Sequence, residues 1–454
     1  MPEREHIEHP EIRRRIAEAV SSTFFRFVKR DGQSIEDSLS LLVTDRTIRP
    51  GTVRAIREFY ERGDEQKEAF LDILASLAPR KIEYALNQIY AAMDTPEWLV
   101  TIREDLNRLT KKRGAEKAEG KPVKPFRSLQ AIFKDHFMRI FNYQYLVPRF
   151  CDASNTSIAL LKFIARKEGV HPSAHWWSFE NRLNSPDHMI LSLEHFKMPY
   201  VPLVYIEIAL SRGLIRKIAK IISDKRKVLD ISRANTAIFY SVNSTMDGIK
   251  GIGLGEKMII RAKEYIEKHY PQIDNFATLS PVPKFAGYLM KVLKEKGRGF
   301  RLTKVKIDTN RRGRFFSNAE IRDIKGELAK RMERVESLPL SEMLRIVLED
   351  EKWSGNTVFR KRMKGPLKAL TRYYLEKEKR RDRKTGEPLP NAYDPVANFH
   401  LSNGAYIGSI NYLGNPDERG LKESFGMMLN YIYDERRLDE NKLLYGRGEV
   451  VIKL

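Results

Sequence analysis

A chain of 454 residues is longer than one ordinary core and is expected to form two or three domains; 42% apolar residues can fill such cores and exclude a disordered chain. A net charge of +22 points to an anionic partner (nucleic acid, a membrane surface or a phosphate-rich cofactor) or to solubility alone. A single cysteine, Cys151, excludes an internal disulfide and a cysteine-built metal cluster, and nothing approaches the ~18 continuous apolar residues of a membrane span.

The first 140 residues read as helices. Ile12, Ile16, Val20, Phe24 and Phe27 recur at helical spacing, as do Phe70, Ile73, Leu74 and Leu77, then Ile82, Ala85, Ile89 and Ala92. The charged stretch from Lys111 to Lys124 reads as an exposed loop, and a further helix follows from Leu129 to about Phe141. This half is expected to be an all-α domain over residues 1–142, of the kind used for self-association.

From about Tyr143 the texture changes. Val201–Leu210 and Thr236–Val242 are apolar, β-branched runs typical of buried strands. A glycine loop follows, Lys250-Gly251-Ile252-Gly253-Leu254-Gly255, then a helix carrying Met258, Ile259, Ala262, Tyr265 and Ile266 on one face. Phe276–Leu279 reads as a short strand entering a helix, with Ser280 as its cap and Pro281 in its first position. Residues 318–380 read as a long helical stretch. Lys377–Lys384 is a run of cations with interleaved acids and no aromatic stacking partners, expected to be a solvated loop, not an RNA patch. Strands over 396–401 and 405–411 are expected to flank an Asn403-Gly404 hairpin turn, with His400 on the first of them. The whole is therefore α+β: an all-α half, then a mixed-sheet domain over 143–454.

Three constellations carry chemistry. The glycine loop lies between a strand and an amphipathic helix, so its N–H groups gather at a helix N-terminus, a site suited to pyrophosphate. It lacks the Gly-Lys-Ser/Thr ending of a P-loop but matches the Arg/Gln-x-x-Gly-x-Gly/Ala spacing of the acetyl-CoA-dependent N-acetyltransferase superfamily, with Lys250 first. A plain glycine-rich connection has the same composition. Ser280 is a normal cap in one reading and a hydroxyl beside free backbone donors, fit for a substrate carboxylate, in another. His400 is either a structural histidine or a proton donor, since imidazole is the side chain best poised to transfer protons near neutral pH.

These segments lie within a larger resemblance. Asp394–Ala405, Phe276–Pro283, Ala237–Ser241 and Gly426–Tyr433 resemble, in order, the signature segments of malonyl-CoA decarboxylases, with similarity over about residues 130–435. The resemblance implies a helical domain followed by a catalytic domain of the N-acetyltransferase fold. It implies that Ser280 is the catalytic serine and His400 the proton-donating histidine. It also implies that Lys250, Gly251, Ile252, Gly253, Leu254, Gly255 and Glu256 bind coenzyme A, with Ser241 and Tyr433 lining the pocket. Some members of the family carry an acid where this chain has Gly253, which moves the loop toward the general acyltransferase pattern and leaves phosphate binding intact.

The implied reaction is malonyl-CoA to acetyl-CoA and CO2. The thioester carbonyl is then the electron sink, so no cofactor or metal is required; backbone N–H groups near Ser241 and the loop are the expected oxyanion donors. The competing readings are a CoA-dependent N-acyltransferase acting on an amine and, behind it, a basic nucleic-acid binder. Expected partners are malonyl-CoA or acetyl-CoA and further copies of the chain, as a dimer or tetramer, with neither nucleic acid nor membrane. The acids in Met1–Glu8 argue against a transit peptide, and Ile452-Lys453-Leu454 departs from the Ser-Lys-Leu address, so a cytoplasmic location is expected.

Overall fold

The computed structural model describes residues 35–44, 50–119, 126–152, 154–172, 175–294, 315–382 and 385–454. The helical pattern expected around Ile12–Phe27 lies outside them. The described chain divides into two compact units, one of residues 1–150, 191–205 and 243–261, the other of 151–190, 206–242 and 262–454.

The first unit contains the helices Ile35–Thr44, Pro50–Tyr60, Asp64–Ser76, Pro79–Ala92, Glu97–Ala118 and Arg127–Ile140. Their apolar stripes supply the core. Tyr60 sits edge-on to both Phe70 and Trp98, and its phenol donates to Asp105 at 2.9 Å. Such edge-to-face pairs add roughly 0.5–1.5 kcal/mol beyond their buried area. The expected loop at Lys111–Lys124 is corrected where it is described: the helix runs on through Ala118. The reason is tertiary. Arg113 is buried, donates to Asp72 at 2.6 Å and to Glu68 at 2.8 Å, and stacks 4.1 Å over the Phe126 ring. Two carboxylates and a ring therefore hold a segment whose composition reads as solvent-exposed.

The strands in chain order are β1 (Leu146–Cys151), β2 (His188–His195), β3 (Met198–Ser211), β4 (Thr236–Ser244), β5 (Asn275–Thr278), β6 (Ser280–Pro281), β7 (Lys379–Arg381), β8 (Pro388–Ala392), β9 (Tyr406–Asn411) and β10 (Met428–Ile432). In the second unit β4 pairs with β5 in parallel, Thr236 beside Asn275 and Phe239 beside Thr278. Antiparallel β10 lies next, opposite Ala277 of β5 through Ile432 and opposite Ser280 of β6 through Leu429. Strand β9 also pairs with β10, with a register shift at Asn430/Tyr431. The sheet is mixed, as expected for the α+β class.

Several local expectations change. The stretch 318–380 resolves into the helices Asn318–Ala329, Leu340–Glu349 and Thr357–Lys377; Ser317 begins the first with a capping box and Asn356 caps the last. Within the run from Lys377, β7 pairs with β8 in a two-stranded sheet, flanked by Gly386 at φ 75° and by Asp382, which accepts from the Thr385 N–H at 2.9 Å. The strand expected at 396–401 is a helix, Pro395–Ser402, and only its partner survives, as β9. Among the described residues no helix is long and apolar enough to cross a membrane.

Candidate active site

His400 owes its position to a short helix with strong ends. Asp394 accepts from the N–H groups of Val396 and Ala397, each at 3.0 Å, and Pro395 occupies the first turn. At the other end Asn403-Gly404 is a helix stop and not a hairpin turn. Gly404 takes φ 86°, and an added Cβ there would lie 2.4 Å from the Leu438 carbonyl oxygen. Helical spacing puts Ala397, His400 and Leu401 on one buried face. Asp-Pro at the start and Asn-Gly at the end are themselves helix start and stop signals, so the sequence did contain the correct reading.

Ser280 is also placed differently from expectation. It lies in β6 opposite Leu429, and the helix it was expected to cap begins only at Phe285. Pro281 removes a ladder donor, which a sheet tolerates on an edge strand such as this. Fixed in this way, Ser280 Oγ lies 3.1 Å from His400 Nε2, although 120 residues separate them in sequence. On the other side of the ring, His400 Nδ1 lies 2.8 Å from the Tyr433 hydroxyl. The ring stacks on Tyr431, with centroids 4.4 Å apart and planes inclined by 27°.

Burial alone pushes the His400 pKa down to about 3, so near neutral pH the ring is uncharged. A neutral imidazole has one donor and one acceptor nitrogen. One proton arrangement satisfies every contact. Tyr433 donates to Nδ1, Nε2–H donates to Ser280 Oγ, and the Ser280 hydroxyl donates to Thr278 Oγ1 at 3.0 Å.

The polar support around this line was not identified from sequence. Thr278 Oγ1 also accepts from the Tyr431 N–H at 3.2 Å. Asn430, fully buried, donates to the Thr278 carbonyl at 2.7 Å and accepts from Asn411 Nδ2 at 2.8 Å. Together these bonds fix β5 against β10 at the register shift beside Tyr431. Polar residues within strands give no periodic signal, but Asn430 within an otherwise apolar strand was visible as an exception.

Ser241 makes different contacts. Its hydroxyl donates to both carboxylate oxygens of Glu168, at 2.9 and 2.7 Å. Backbone N–H groups of Val170 and His171 hold the same carboxylate, which stays below its ordinary range despite the opposing effect of burial. Glu207, fully buried and close to Glu168, is pushed well up by that burial and accepts from Tyr240 at 2.7 Å.

The glycine loop belongs to the first unit and is made of backbone. Gly251 and Gly253 take φ 78° and 83°, a region L side chains rarely adopt, and a Cβ on either would project into open space. The helix Leu254–His269 begins directly after, leaving its first N–H groups without intrahelical acceptors. Lys250 pairs with Asp247 at 2.5 Å, both exposed; Ile252 and Leu254 are buried anchors, and Gly255 and Glu256 lie half-buried in the first turn. The approach to the loop is braced at Gly248, whose N–H donates to Glu104 at 3.1 Å and whose carbonyl accepts from Arg103. A Cβ at Gly248 would lie 2.2 Å from the Val100 carbonyl oxygen, so the loop requires a bare backbone there. Among the described residues no group of three or more His, Cys, Asp or Glu is placed to hold a metal ion.

Residues 145–453 match the family model of the malonyl-CoA decarboxylase C-terminal domain. Over 288 residues, 63% of this chain, the sequence is 29% identical to the mitochondrial malonyl-CoA decarboxylase of Rattus norvegicus, and over 276 residues it is 30% identical to that of Anser anser anser. These matches span 53% and 49% of those relatives, so the chain covers about half the length of the curated proteins it resembles. Two crystal structures share the fold. That of malonyl-CoA decarboxylase from Rhodopseudomonas palustris has a TM-score of 0.70 at 22% identity, over 92% of this chain and 97% of that one. That from Cupriavidus metallidurans has a TM-score of 0.65 at 21% identity, over 98% of each chain.

Proposed function

The chain belongs to the malonyl-CoA decarboxylase family, and from that premise we propose that it converts malonyl-CoA to acetyl-CoA and CO2, with Ser280, His400 and Tyr433 forming the proton path. The observation that carries this reading is the unbroken hydrogen-bonded line Tyr433–His400–Ser280, at 2.8 and 3.1 Å around a neutral imidazole.

Loss of CO2 breaks the bond between the carboxylate carbon and the α-carbon, and its electron pair moves into the thioester as an enolate. The enolate then needs a donor at its oxygen and a proton at its α-carbon. One well-placed oxyanion donor contributes about 3–4 kcal/mol. That task is assigned to backbone N–H groups near Ser241, and the Lys250–Glu256 loop is assigned the coenzyme A phosphates. The α-carbon takes the Ser280 proton, Ser280 Oγ takes the proton from His400 Nε2, and Nδ1 takes the proton from Tyr433. The imidazole stays neutral throughout; after product leaves, the relay runs back, the phenolate taking the Nδ1 proton, Nε2 the Ser280 proton and Ser280 a proton from solvent, which restores the starting tautomer. A neutral ring suits an enolate, which is a far stronger base than imidazole. Burial of His400 is therefore no obstacle to its role.

The test is turnover of malonyl-CoA labelled in its free carboxylate, with no acceptor added. The expected result is labelled CO2 and acetyl-CoA in equal amounts. Consumption only in the presence of an amine would overturn the reading in favour of acyl transfer.

A further inference from the structure

The catalytic reading uses few of the chain's basic residues, and one gathering of them lies elsewhere in the second unit. Between β3 and β4 the segment 212–229 holds seven cations (Arg212, Arg216, Lys217, Lys220, Lys225, Arg226 and Lys227) against one carboxylate, Asp224. Within it Ile218 and Ile221 pack on Ile238, Ala277, Leu279 and Met428. Successive strand residues face opposite ways, so Ala277 and Leu279 turn away from Thr278 and Ser280. The basic segment therefore covers the sheet face remote from His400.

Its folding leaves a cavity of about 600 Å³ where β3 ends. Register separates this cavity from the reaction centre. The Asn235 N–H donates to the Ser211 carbonyl at 3.0 Å, next to the Thr236–Asn275 pair. Ser280 lies five residues beyond Asn275, roughly 16 Å along a strand.

Arg212, Lys217, Lys220, Lys225 and Lys227 all line the cavity and are exposed, and among the described residues none of them forms an ion pair. Arg226 alone is neutralised, donating to Asp187 at 2.8 Å and to Ser185 at 2.6 Å. Five cations without counter-ions around one concavity repel each other, and a compact polyanion removes that repulsion.

We propose that this cavity is a second ligand site, taking a small molecule with two or more phosphate groups, on the opposite sheet face from the His400 centre. The phosphates meet Lys217, Lys220 and Lys225. A volume of this size suits a nucleotide-sized ligand. The lining has no Phe, Tyr or Trp on which nucleic-acid bases could stack, which favours a small ligand over single-stranded RNA.

The test is calorimetric titration of the full chain with inorganic tripolyphosphate at fixed ionic strength; it reads heat of binding and is independent of the reaction at His400. The wild-type chain should bind one tripolyphosphate tightly in this cavity, apart from any weaker binding at the glycine loop. The triple variant Lys217→Ala/Lys220→Ala/Lys225→Ala should bind about tenfold more weakly or worse, because charge-assisted phosphate contacts are among the strongest polar ones. Lys250→Ala, at the glycine loop, should bind within about twofold of wild type, since its charge lies outside the cavity. Thermal unfolding of each variant checks that it is folded. Absence of wild-type binding, equal affinity in the triple variant, or a loss that follows Lys250→Ala would each overturn the proposal. So would a single-stranded RNA that binds more tightly than tripolyphosphate and is lost in the triple variant.

Discussion

In the Lys250–Glu256 loop the groups proposed to act are backbone amides, left bare by two glycines at positive φ with open space where a Cβ would stand. At His400 they are side chains, and the ring is 4% exposed, stacked on one tyrosine and hydrogen-bonded to another. The loop is shaped by conformation, so its sensitivity lies in φ and in steric clearance. The His400 cluster is shaped by packing, so its sensitivity lies in which atoms carry protons. A binding defect is therefore expected from the first region and a chemical defect from the second.

The sharpest way to break this division is His400→Asn. It should lower kcat for malonyl-CoA by roughly 10²–10⁴, the usual contribution of a positioned proton donor, while KM stays within about threefold. Adding Ser280→Ala should cost little more than the worse single change, because residues acting in one relay are not additive. A double variant whose loss is the product of the two would separate the residues into independent roles.

Acid stability is next in size. His400 is held neutral in the fold to about pH 3, while an unfolded histidine takes up a proton near pH 6.5. Between those values the unfolded chain binds the extra proton, so stability falls as pH drops from 6.5 toward 3. From pH 6.5 to 4 this one ring contributes a loss of about 3 kcal/mol. His136 and His171, both pushed by burial to about 4, act in the same direction. Melting temperatures of wild type and His400→Asn over this range should show a shallower acid decline in the variant. Parallel declines would mean that the ring is not buried in its neutral form.

Gly253→Ala probes the loop. A Cβ in the left-handed region costs about 1–2 kcal/mol, and nothing nearby opposes it sterically. The expected result is a KM for malonyl-CoA raised up to about tenfold with kcat little changed. A fall in kcat alone would place the loop in the chemistry. The smallest effect belongs to Tyr433→Phe, because a water admitted in place of the phenol oxygen can still deliver the Nδ1 proton. It removes one hydrogen bond to Nδ1, about 1 kcal/mol, and should lower kcat roughly fivefold without lowering the melting temperature by more than a few degrees.

The two regions also differed in how far their sequences could be read. The loop's residues dictate its shape locally, since alternating glycines after a strand and before an amphipathic helix leave few conformations. Strands β3 and β4 were legible for the same reason, as continuous β-branched runs. Around His400 the outcome depends on contacts between distant segments. Val396–Leu401 alternates well enough to pass for a strand, and only the Asp394 cap and the Gly404 stop fix it as a helix. Ser280 resembles a helix cap until β10 pairs with it. Composition likewise concealed the helix at Arg113, where Asp72, Glu68 and Phe126 decide the outcome. Ser280 and His400 could be named together from the family resemblance, but no spacing rule brings residues 120 apart into contact.

The account rests on an imidazole that carries no charge at the pH of turnover and holds its proton on the nitrogen facing Ser280. Nitrogen-15 NMR of histidine-labelled protein, assigned to His400 by its absence in His400→Asn, reads this directly. The expected spectrum shows one protonated and one unprotonated ring nitrogen, with the proton on Nε2 and no titration between pH 5.5 and 8. A His400 resonance that titrates near pH 6.5, or a proton residing on Nδ1, would contradict it.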